Sequence, residues 1–107
     1  MARIWLDDVR PAPEGYIWCH SVNKAKFMIQ AIEKRAVLYH LPEDTIEVID
    51  CDHDMGAFVK QGGDGIKLLD WLIDRGTFYP IRVHSMNAVG AQNMRNTIRR
   101  YWPIKDQ

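Results

Sequence analysis

The stretch TIEVIDCDHDMG, residues 45–56, decides how this chain is read. Residues 45–49 are β-branched and apolar enough to form a short buried strand. The second part, DCDHDMG (50–56), places three aspartates, a histidine and a cysteine directly behind that strand. Carboxylates this close repel, and they raise one another's pKa unless a cation compensates. In open parallel sheets, ligands bind beyond the carboxyl ends of the strands. An acidic group at a strand end therefore raises two questions: which other strands end beside it, and what they carry.

Working outward, residues 2–6 form a second short apolar run, closed by Asp7-Asp8. Residues 9–15 hold two Pro and one Gly and predict a loop. Residues 16–19 predict another strand. Ser21 is placed to cap a helix that runs to about Tyr39, with Val22, Ala25, Met28, Ile29 and Ile32 at helical spacing; Pro42 follows its end. After the acidic stretch, residues 56–65 carry four Gly and predict a loop, and Asp64 is placed to cap the next helix. Ile66, Leu69, Leu72 and Ile73 share the inner face of that helix, and Gly76 stands where a left-handed cap is expected. Residues 80–83 predict a further strand. A last helix over about 88–101 turns Ala91, Met94, Ile98 and Tyr101 inward, and Pro103 stops it.

Strands and helices thus alternate, and the strands are short continuous apolar runs, as in parallel sheets covered on both faces. The expected fold is α/β: a three-layer α/β/α sandwich around a mainly parallel sheet of four to five strands, in one domain spanning residues 1–107. Fourteen basic side chains balance fourteen acidic ones, which argues against a general nucleic-acid coat protein but leaves room for a phosphorylated ligand in a local site. Two Cys, Cys19 and Cys51, are too few for a disulfide scaffold, no CxxC appears, and a reducing cytoplasm is the expected location. Charges at positions 7 and 8 argue against a signal peptide. No apolar run is long enough to predict a membrane span.

Each predicted strand is followed by polar, chemically capable residues: Asp7, Asp8 and Arg10; His20 and Ser21; Asp52, His53 and Asp54; His84, Ser85 and Asn87. A set of carboxylates from Asp7, Asp8 and Asp52 or Asp54 suits a hard divalent cation such as Mg²⁺. The bland alternative is capping and loop ion pairs with Arg10. His53 and His84 can move protons near neutral pH, although a lone His is more often a structural hydrogen-bonder. Ser85, Asn87 and Gly90 open the last helix, whose N-terminal N–H groups favour phosphate, and Arg10 can grip a phosphate bidentately. The basic run RNTIRRYWPIK reads as a solvated helix face carrying Arg95, Arg99 and Arg100, with RNA binding as the alternative. Cys51 is expected to be buried and not nucleophilic. GGDG lacks the Lys-Ser/Thr of a P-loop.

LDDVRPAP (6–13), DHDMG (52–56) and HSMNAVGAQNM (84–94), in this order and at these spacings, resemble the cyclic-phosphate-processing receiver-like domains. These are derived relatives of response-regulator receivers. The resemblance covers nearly the whole chain and implies a receiver-like, flavodoxin-like fold. It matches Asp7-Asp8 to the acidic pair that helps bind Mg²⁺ in receivers, Asp52 to the phosphoacceptor position, and Ser85 to the Ser/Thr position after the next strand. The chain departs from receivers in two ways. Lys105 is a poor match to the Lys after their last strand, and His53, His84 and Arg10 are additions.

The resemblance implies a metal-dependent phosphoesterase acting on a cyclic phosphate, either a 2′,3′-cyclic RNA end or a cyclic nucleotide. Mg²⁺ or Mn²⁺ would sit on Asp7, Asp8 and Asp52, with Asp54 in support and Asp50 the aspartate least expected to touch the ion. Arg10, Ser85 and Asn87 would hold the phosphate. His84 or His53 would transfer the proton, and attack by Asp52 through an aspartyl-phosphate is a second route. The alternatives are a non-catalytic phosphate- or nucleotide-binding module, a receiver-like signalling module, and a small α/β protein that acts through its outer surface. No protein partner follows from the sequence.

Overall fold

The computed structural model describes residues 1–41 and 45–103; the expectations on Pro42 and Lys105 fall outside them. The elements follow in the order β1 (Ala2–Leu6), β2 (Ile17–Cys19), α1 (Val22–Leu38), β3 (Ile46–Cys51), a 3₁₀ turn (Gly56–Phe58), α2 (Gly65–Arg75), β4 (Ile81–Val83) and α3 (Ala88–Tyr101). The four strands form one sheet in the order β2-β1-β3-β4, and every pairing is parallel. All four carboxyl ends therefore lie along one edge.

Register sorts the side chains by face, because successive residues of a strand point to opposite sides. Two rows run across one face: Ile17, Ile4, Ile49 and Ile81, then Cys19, Leu6, Cys51 and Val83. All of them join or pack against a single core cluster. That cluster also takes Val22, Ala25 and Ile29 from α1, Leu68, Leu69 and Leu72 from α2, and Met94 and Ile98 from α3. The opposite face carries the row Trp18, Trp5, Asp50 and Arg82.

The receiver-like α/β class with a short parallel sheet is as expected. Its helical cover, among the described residues, is one-sided: all three helices contribute buried side chains to the cluster on the first face. The cause lies between β1 and β2. Pro11 and Pro13 lack the N–H that a helix needs, and both fall inside the connection that would otherwise carry a crossover helix.

Local chemistry explains the boundaries. Ser21 caps α1, its Oγ accepting from the Lys24 N–H at 3.1 Å. Gly76 closes α2 at φ 70°, and the Thr77 N–H bonds back to the Leu72 carbonyl at 3.0 Å, the pattern of a left-handed helix end. Asp64 stands at the cap position of α2 without capping it; its Oδ1 accepts from the Met55 N–H instead, at 3.0 Å. Tyr101 is 46% exposed rather than inward. Trp102 fills that place, its Nε1 donating to the Tyr79 carbonyl at 2.8 Å and its ring edge-on to Phe78. β3 runs past Ile49 to Cys51 because Leu6 pairs with Cys51, which puts Asp50 inside the strand. Among the described residues, no helix is long and apolar enough to cross a membrane.

Candidate functional site

Asp7 is the most enclosed charged side chain at the strand-end edge, at 1% exposure. Its Oδ1 accepts from the N–H groups of Val9 (3.0 Å) and Arg10 (2.7 Å), which turns the loop sharply after β1. Its Oδ2 accepts from His84 Nε2 at 2.9 Å. The other His84 nitrogen, Nδ1, lies 2.6 Å from Asp50 Oδ1. Both ring nitrogens face carboxylate oxygens, and a ring that donates from both nitrogens is an imidazolium. Burial pulls the pKa of His84 down, but hydrogen bonds and charge from Asp50 and Asp7 outweigh it and hold the pKa above the ordinary imidazole value. The ring lies flat on Trp5, with centroids 3.7 Å apart and planes within 6°.

Asp7, Asp8 and Asp52 each offer an oxygen, and these oxygens lie within 4.8 Å of one another. Burial raises the pKa of Asp8, the charges of Asp7 and Asp52 add to the rise, and nearby backbone N–H groups oppose it. Asp52 Oδ1 accepts from the His53 N–H at 2.8 Å. An all-oxygen donor set crowded with negative charge fits a hard divalent cation.

Asp54 stands apart from that trio. It joins His53 and Asp64 in a second group, where His53 Nδ1 donates to Asp54 Oδ1 at 2.6 Å and Asn87 Nδ2 donates to it at 3.0 Å. The His53 bond first, then the Asn87 bond, hold the Asp54 carboxyl below the usual range. Asn87 also caps α3, its Oδ1 accepting from the Gly90 N–H at 2.9 Å. Ser85 Oγ accepts from the Asn87 N–H at 3.1 Å. The Arg10 side chain is exposed and has no carboxylate partner among the described residues, so the ion pair with a neighbouring Asp does not form.

Close backbone approach fixes two of these groups. A Cβ on Gly90 would lie 2.4 Å from the His53 ring, and one on Gly65 would lie 2.0 Å from the Asp52 carbonyl oxygen. Cys51 is fully buried, and burial pushes its thiol well above the ordinary range, so it offers no thiolate.

Sequence reasoning missed Asp50 and Trp5 as the acceptor and the floor for His84. Parity was the available signal: both lie on the opposite side of their strands from Ile4 and Ile49. It also missed Asp64, whose turn toward Met55 depends on the loop fold and has no local sequence sign.

A parallel sheet with paired carboxylates after its first strand, another after its third and a hydroxyl after its fourth defines a receiver-like α/β domain. The family model for the cyclic-phosphate processing receiver domain matches residues 2–100, and the chain belongs to that family. No curated protein and no solved structure matches it.

Proposed function

We propose that this chain hydrolyses a cyclic phosphate ester, a 2′,3′-cyclic RNA end or a cyclic nucleotide, using Mg²⁺ or Mn²⁺ held by Asp7, Asp8 and Asp52. The observation that carries this reading is the approach of those three carboxylates to within 4.8 Å in a chain of a cyclic-phosphate processing family. When bound, such an ion supplies Lewis-acid polarisation of the phosphoryl group.

The chain's own groups divide the remaining work. His84 has both nitrogens committed to carboxylates and so supplies fixed positive charge beside the anionic site. His53 uses Nδ1 on Asp54, and its Nε2 has no hydrogen-bond partner among the described residues. Nε2 is therefore the proton-transfer atom, and Asp54 orients the ring for it. Arg10 grips the phosphate from the loop after β1, and Ser85 and Asn87 shape the opposite wall at the start of α3. Asp52→Asn and His53→Ala should each lower hydrolysis of a nucleoside 2′,3′-cyclic phosphate steeply, by about a hundredfold for the proton-transfer residue. Wild-type rates in both variants, after chelation and metal return, would sink the assignment.

A second reading, a non-catalytic phosphate-binding or receiver-like signalling module, has one observation in its favour. His84 and Asn87 are bonded internally and are not turned toward a ligand. Tight binding of the cyclic phosphate with no turnover, or a small phosphodonor trapped on Asp52, would select it.

A further inference from the structure

We propose that Trp18, His20 and Phe58 form a stacking platform for the base of a nucleoside cyclic phosphate, set beside the carboxylates that would hold the cation for its phosphate end. This rests on the cyclic-phosphate reading above and names the substrate class of the same site. The three rings stand in a row. Trp18 and His20 have centroids 4.3 Å apart at 31°, and His20 and Phe58 are 5.7 Å apart at 33°.

The row is tied to the acidic pair itself. Trp18 Nε1 donates to the Asp7 carbonyl at 2.8 Å, and His20 Nδ1 donates to the Asp8 carbonyl at 3.4 Å. Both bonds use backbone oxygens and take no carboxylate oxygen of Asp7 or Asp8. His20 is exposed, and Trp18 and Phe58 are half-buried, so aromatic surface reaches solvent at the ring that meets the Asp8 carbonyl. A phosphate held through a cation on Asp8 and Asp52 would bring the rest of its ester over this ground. Aromatic rings stack any base by its π-face without reading its edge. The exposed Arg10 guanidinium, on the loop that begins at Asp8, adds a positive group for the anionic end of the same ligand.

The test uses the full chain with Mn²⁺ and two probes that share a cyclic phosphodiester: adenosine 2′,3′-cyclic phosphate and glycerol 1,2-cyclic phosphate. Only the first has a base. The wild-type chain should prefer it by about tenfold in kcat/KM and in Kd, within the range of base–aromatic stacking. His20→Ala and Phe58→Ala should remove that preference and leave the glycerol compound unchanged, whereas His20→Phe should keep it. Phe58 packs against the core, so His20→Ala, at an exposed position, carries the test if Phe58→Ala unfolds.

Equal handling of both probes by the wild type overturns the platform, as does an equal loss for both probes in His20→Ala. If neither probe is turned over, hydrolysis fails as a reading, and Kd alone decides the platform by the same comparison. A short oligoribonucleotide with the same cyclic end, run beside the mononucleotide, separates the two sources of the base: tighter binding of the oligomer assigns RNA, and parity assigns the free nucleotide.

Discussion

The two faces of the sheet do different work with the same strands. On one, the rows Ile17–Ile4–Ile49–Ile81 and Cys19–Leu6–Cys51–Val83 lie under three helices. On the other, the row Trp18–Trp5–Asp50–Arg82 has no helix over it among the described residues. There the cover comes from Tyr16 edge-on to Trp5, from the Arg10 carbonyl accepting from Trp5 Nε1 at 2.9 Å, and from the His84 ring. Burial of hydrocarbon holds the first face together. The second carries part of a half-buried network of Asp50, His84 and Asp7 that orients His84. A parallel strand can thus be structural on one set of alternate residues and chemical on the other.

The largest effect should come from breaking the helix-covered face. Ile49 is fully buried, and Ile49→Ala should cost about 2–5 kcal/mol in urea unfolding, from lost transfer energy and the cavity left behind. Metal affinity of the molecules that stay folded should hardly change; a parallel loss of affinity would mean that the two faces are not separable.

Gly90→Ala acts where the faces meet. The new methyl would intrude on the His53 ring, at about 1–3 kcal/mol of overpacking, and should reduce turnover more than Asp52-dependent metal binding. Calorimetry and rate measurement on one sample would decide it.

Asp50→Asn probes the second face and should show mainly in pH dependence. The folded His84 pKa is raised, so the stability it contributes is fully present below the unfolded imidazole value of about 6.5. That contribution fades as pH rises through the higher folded value. Removing the Asp50 charge should shrink this window. Urea midpoints in chelator from mildly acidic to mildly alkaline pH would show a steeper fall for the wild type; identical slopes would remove Asp50 from the account.

Arg3→Ala should do least. The Arg3–Glu47 pair is exposed on both sides, and exposed ion pairs contribute little. An unchanged unfolding midpoint is expected, and a clear shift would mark this part of the open face as structurally important.

The helix-covered face was readable from local pattern. Val22, Ala25 and Ile29 at helical spacing, Ser21 before them and Gly76 after α2 are signals contained in a few neighbouring residues. The carboxylate trio was half readable: each Asp follows an apolar run, and parallel strands bring their ends together. The Asp50–His84–Asp7 chain was not readable, because its members are 34 and 77 residues apart. Their meeting depends on strand order and on where β3 stops. One-sided helical cover escaped for a related reason. Short apolar runs predict burial on both faces, and a loop with aromatic rings supplies that burial as well as a helix does. Asp64 shows the limit of cap signals, since it holds the right position while its side chain serves another turn.

The strand order also bears on self-association. The longer strands, β1 and β3, lie inside the sheet, and both outer strands, β2 and β4, have only three residues. An outer strand is where a second chain can add itself by backbone pairing, and the length of unpaired backbone sets how well it templates that growth. With only three residues on each margin, and the Arg95 side chain donating to the Val83 carbonyl at 3.4 Å, this sheet offers little length on which a fibril could begin.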